Sequence, residues 1–132
     1  MIRWALTIGA VLAWLFGAML LLVPGPFFAP IGITMTDKIA TIAQNQGAAL
    51  ISIGVIDFLA RGTTDRTALR AVLVGNLVIQ VLSLLVAIRA LALGIFPPQG
   101  APSVVIHLVL GTLFALALRR VATMRRTQPG AV

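Results

Sequence analysis

The sequence predicts an all-α protein, a four-helix transmembrane bundle with both termini cytoplasmic. Three observations predict it. Of 132 residues, 60% are hydrophobic and only 10% charged, with a mean hydropathy of +1.09. A soluble domain carries about 25% charged residues because its surface must stay in water. Four apolar runs of membrane-spanning length are separated by proline, glycine or polar breaks. The basic residues, finally, fall on alternate sides of those runs with a strong bias: Arg3, Arg61, Arg66, Arg70, Arg119, Arg120, Arg125 and Arg126 share one side and Lys38 takes the other. Lysine and arginine near span ends set orientation, so the arginine side is the cytoplasmic one.

The first run, 4–23, is about 20 residues, which at about 1.5 Å per residue matches a ~30 Å hydrocarbon core. It exceeds the h-region of a cleaved signal peptide, and Pro24-Gly25-Pro26-Phe27-Phe28 is a poor cleavage site, so it reads as an uncleaved anchor. Residues 24–37 carry Pro24, Pro26 and Pro30 around Phe27 and Phe28, predicting a non-helical outer loop at the membrane interface, where aromatic rings are favoured. The strictly apolar part of the second run, Gly47 to Ala60, is too short to span. The helix therefore covers 39–60, with Thr36 or Asp37 as N-cap, and carries Gln44, Asn45 and Gln46 into the outer third of the membrane. Residues 61–66 form a polar turn, a third span covers 67–93, Pro97-Pro98 and Gly100 break the chain, and a fourth span covers 103–122. All of this is one transmembrane domain, 1–132.

Composition narrows function by subtraction. There is no cysteine and no glutamate, and the titratable inventory for a metal or acid–base site is His107, Asp37, Asp57 and Asp65. That predicts a protein that is not an enzyme and has no metal site. The net charge of +7 is distributed between membrane spans, which argues against nucleic acid as a partner and for orientation plus anionic lipid. A small dual-topology exporter needs balanced loop charges and normally a membrane-embedded glutamate, and this chain has neither.

The polar and small residues inside the spans carry the functional candidates. Ala5, Gly9, Ala13 and Gly17 recur every four residues, giving a shallow groove that lets another backbone approach, either within the bundle or from a partner subunit. Ser103, His107, Gly111 and Ala115 repeat the device in the fourth span. His107 has two readings: a neutral side chain bonded to a neighbouring helix, or a single-histidine ligand to a haem or chlorin with Gly111 leaving room for the macrocycle. Asn76, Gln80, Ser83 and Ala87 share a face that should turn inward, since exposed amides in hydrocarbon are costly. Arg89 points nearly opposite Gln80 and reads as a headgroup contact or the partner of an anion. Asp57, near the cytoplasmic end of its span, is expected to pair with Arg61, Arg70 or Arg119, with proton-coupled transport as the alternative. Depth brings Gln44 and His107, with Asn45 or Gln46, into one candidate outer pocket.

The segment from Gly47 to Gln80, GAALISIGVIDFLARGTTDRTALRAVLVGNLVIQ, resembles a pattern in small uncharacterised bacterial four-helix integral membrane proteins, loosely DoxX-like in size and layout. The resemblance implies a bacterial inner membrane and carries over no catalytic motif. Residues and resemblance together lead to a non-catalytic accessory or scaffold subunit that packs on itself or on other membrane subunits. The alternatives are a binding protein for a lipid, quinone or pigment, and a small transporter using Asp57.

Overall fold

The computed structural model describes residues 1–124, and among them are five helices and no strand. Four are long and apolar enough to cross a membrane: α1 (Ile2–Leu22), α3 (Asp37–Ala60), α4 (Arg66–Ala92) and α5 (Ala101–Thr123). Between α1 and α3 lies a short helix α2 (Pro24–Phe28), followed by a 3-10 turn at Ala29–Ile31. This corrects the expectation of a non-helical loop over 24–37. Its prolines fall in the first turn, where the missing N–H has no helical partner to lose and the fixed φ suits a helix.

Local chemistry explains the ends. Thr36 caps α3, its hydroxyl accepting from the Ile39 N–H at 3.3 Å, and Asp65 caps α4, its carboxylate accepting from Thr67 and Ala68 at 2.8 and 3.3 Å. α4 stops in a Schellman arrangement: Gly94 takes a left-handed φ of 65°, the Ile95 N–H returns to the Ala90 carbonyl and the Gly94 N–H to that of Leu91. The Arg66 guanidinium donates to the Met124 carbonyl at 2.7 Å, tying the start of α4 to the end of α5. Arg3, Arg61, Arg66, Arg70, Arg119 and Arg120 thus share one end of the bundle, and Lys38 lies at the other. Arg125 and Arg126 lie outside the described residues.

The bundle is two antiparallel pairs, α1 against α3 and α4 against α5, which meet mainly through α1 and α5 while α3 touches α4 little. The α1–α3 contact is backbone to backbone. A Cβ on Gly47 would lie 2.6 Å from the Gly17 carbonyl oxygen, and one on Gly17 would lie 2.9 Å from the Gly47 carbonyl oxygen. Van der Waals packing of this kind replaces the hydrophobic drive that lipid removes. Near the arginine-rich end, Ala5 and Leu6 of α1, Leu69 and Leu73 of α4, and Phe114 and Ala117 of α5 form the tight core. Trp4, Leu22, Ile42 and Leu59 are each at least 70% exposed, an apolar exterior suited to acyl chains.

Candidate functional site

Four helices converge on Asp57. It is fully buried, and its Oδ1 accepts a 2.6 Å hydrogen bond from Asn76 Nδ2, which also donates to the Val72 carbonyl at 3.1 Å. Oδ2 has no partner. It faces the Cα of Gly9, where an added Cβ would come within 2.9 Å of it and 2.7 Å of the Phe114 ring. Only glycine at position 9 leaves room for both the carboxylate and the ring. Among the described residues Asp57 makes no ion pair, which corrects its expected pairing with Arg61, Arg70 or Arg119. Arg61 instead places its guanidinium 3.6 Å from the centroid of the Phe58 ring. Helical Cα–Cβ bonds lean toward the helix N-terminus, so the carboxylate projects back into the bundle, away from the arginines beyond its own helix end. Its neighbours Gly9 and Asn76 lie seven and ten positions from the starts of their helices, placing the acid about 10–15 Å inside the arginine-rich end.

One turn beyond Asn76 on α4, Gln80 is also buried and its Oε1 lies 2.7 Å from His107 Nδ1 on α5. An amide oxygen accepts only, so Nδ1 donates and Nε2 is left as an acceptor. Asn76 and Gln80 therefore form a polar ladder on α4 with a partner on each side, α3 below and α5 above. A Cβ on Gly111 would touch Gln80 Cβ at 3.5 Å, so the space expected beside Gly111 for a macrocycle is bounded by the glutamine.

The ladder borders a cleft of about 290 Å³ between the two helix pairs. α1 contributes Gly9, Leu12, Ala13 and Phe16, α2 contributes Phe27, and α3 contributes Gln46, Leu50 and Ile53. The opposite wall is Asn76, Gln80 and Ser83 of α4 with Ser103, His107, Leu110 and Phe114 of α5. A second, more open groove of about 340 Å³ runs between α4 and α5 past Leu82, Val86, Ala87 and Phe96, and it shares Ser83, Ser103 and His107 with the cleft. These three residues thus lie between the cleft and the groove.

The outer pocket expected from depth is only partly assembled. His107 and Gln46 line the same cleft. Gln44 turns to α1, its amide donating to the Leu21 carbonyl at 3.4 Å, one of the acceptors a helix end leaves free. Asn45 is exposed and lines neither cavity, and Arg89 is exposed as well. The small-residue face of α1 is used inside the chain: Ala5 is buried in the core, Gly9 meets Asp57 and Phe114, Ala13 lines the cleft and Gly17 meets Gly47. Ala115, on the small-residue face of α5, is half-buried. Gly47, Phe114 and the cleft aromatics Phe16 and Phe27 were not among the expected site residues. Gly47 had a signal in the Gly47–Gly54 heptad spacing, whereas Phe114 had none.

The chain matches no protein-family model, no curated protein and no solved structure.

Proposed function

We propose that the protein is a membrane binding protein that holds the head of a lipid-soluble molecule in the cleft between its helix pairs and does no chemistry on it. The observation that carries this reading is the Gln80–His107 hydrogen bond on the cleft wall. It occupies one polar atom of each side chain and leaves Gln80 Nε2 as a donor and His107 Nε2 as an acceptor. Both residues line the cleft. A few placed polar groups in a mostly apolar cavity are the usual makeup of a small-molecule site. The volume of about 290 Å³ lies just under the about 300–1,000 Å³ range of such sites, which favours a compact head over a haem or chlorin macrocycle.

An accessory-subunit role loses its main support, since the small-residue face expected to receive a partner is packed within the chain. The unpartnered Asp57 Oδ2 supports a second reading, a proton-coupled carrier, because an acid buried without a cation is a functional signal in a membrane. We further propose that the arginine-rich end faces the cytoplasm of a bacterial inner membrane, on the arginine distribution and the quoted resemblance.

The test is extraction and mass analysis of small molecules that co-purify in gentle detergent. A stoichiometric ligand in the wild type that is lost in His107→Phe, with helix content unchanged, is the expected result. Equal ligand content in both proteins, or stoichiometric protein subunits with no small molecule, overturns the reading.

A further inference from the structure

We infer that the molecule taken by the cleft carries an uncharged oxygen head, a carbonyl or hydroxyl on an apolar ring or chain, and not a phosphate or carboxylate headgroup. This rests on reading the cleft as a binding site. It is drawn from the charge of the walls. Among the described residues no aspartate, glutamate, lysine or arginine lines the cleft, and its polar side chains are amides, hydroxyls and one imidazole. Arg89 of α4 is exposed and lines neither the cleft nor the groove beside it. Behind Asn76 stands a carboxyl group, Asp57, so no positive charge backs the wall on that side either. An anionic head would thus lose its hydration and gain no counter-charge, a transfer that low-dielectric surroundings penalise heavily.

The hydrogen-bonding complement fits the uncharged alternative. Asn76 Nδ2 donates to both Asp57 and Val72, and among the described residues its Oδ1 accepts no hydrogen bond. With Gln80 Nε2 as donor and His107 Nε2 as acceptor, the wall can donate to a carbonyl or accept from a hydroxyl, the two things an uncharged oxygen head offers. Phe16, Phe27 and Phe114 supply flat apolar surface around it. The groove beyond Ser83, Ser103 and His107, walled by Leu82, Val86 and Phe96, gives an apolar tail a way out between α4 and α5.

The experiment uses the full chain in phosphatidylcholine nanodiscs and four probes measured by equilibrium dialysis. Two are uncharged, farnesol and a benzoquinone bearing one isoprene unit. Two are anionic, oleate and lysophosphatidylglycerol. At least one uncharged probe is expected to bind saturably, and at least tenfold more tightly than either anion. Gln80→Leu and, independently, Ser83→Ala serve as wall variants, each checked for an unchanged thermal melt. Loss of the glutamine donor should weaken the uncharged probe about fivefold, the effect of one hydrogen bond. Binding of the quinone alone assigns a ring carbonyl, and binding of farnesol alone assigns a chain hydroxyl. Anions that bind as tightly as the uncharged probes overturn the inference while leaving the binding reading standing. Failure of all four to saturate overturns both.

Discussion

Asp57 and Asn76 share one hydrogen bond, yet removing them should have unequal consequences for stability. In Asn76→Leu both carboxyl oxygens of Asp57 are left buried without a partner, because Oδ2 has none to begin with and Oδ1 loses its only one. Leaving a buried polar group stripped of its partner costs about 1–3 kcal/mol, and about 3–5 if the group is charged. In Asp57→Leu the same bond is lost, and interhelical bonds in a membrane average only about 0.6 kcal/mol. Asn76 keeps its second bond, to the Val72 carbonyl at 3.1 Å. The orphaned Oδ2 disappears as well, relieving about 1–3 kcal/mol. Asp57→Leu is therefore expected within about 1 kcal/mol of wild-type stability, the relief being offset by the larger side chain beside Gly9 and Phe114, and Asn76→Leu below wild type by at least about 2 kcal/mol. Both are measured by equilibrium unfolding in mixed micelles of rising SDS content, followed by helical circular dichroism. An Asp57→Leu protein as destabilised as Asn76→Leu would refute the reasoning, since the acid would then be held by something that stabilises the fold.

Two further outcomes follow from the packing and from the charge distribution. Gly47→Ala requires α1 and α3 to separate by about 0.8 Å to bring the 2.6 Å approach to an ordinary contact, a gap that forfeits a quarter to a half of each local dispersion contact. The net loss is expected at about 1–2 kcal/mol after the helix propensity of alanine is credited, whereas Gly75→Ala, with nothing within 4 Å of its Cβ, should be neutral or stabilising in the same unfolding assay. For orientation, a Lys38→Cys protein in intact cells should react with an impermeant maleimide and an Arg70→Cys protein should not; the reverse labelling pattern would invert the proposed topology.

The four long helices were legible because span length and hydropathy are properties of consecutive residues, requiring no knowledge of what packs where. The inward face of α4 was legible for a related reason: Asn76, Gln80 and Ser83 fall on one side at 100° per residue, and a bilayer penalises their exposure. The partner of Asp57 was not. Arg61 is near it in sequence, but choosing Asn76 over Arg61 requires the depth at which α3 crosses α4 and the direction of the Cα–Cβ bond. The role of Gly47 depends on the missing Cβ opposite Gly17, a property of two helices in register that neither span shows alone. The helix at Pro24–Phe28 is not legible from its prolines, because proline breaks a helix interior yet suits the first turn, and composition does not tell the two places apart.

The cleft is the least economical part of the bundle for stability alone. The residues lining its roughly 290 Å³ forgo the dispersion contacts they would make in a closely packed bundle. The half of the bundle near the arginines shows that this chain can pack tightly, with Leu6, Leu73 and Phe114 almost completely buried. Larger side chains at Ala13 or Ser83 would close much of the space. Ala13→Leu should therefore stabilise the bundle by about 2 kcal/mol, from roughly 80 Å³ of filled volume, and abolish binding of whichever uncharged probe the wild type takes. Gain of stability with loss of binding is the signature of a cavity kept for an occupant. Gain of stability with binding intact would mean that the ligand sits elsewhere and that the cleft is only a packing defect filled by lipid.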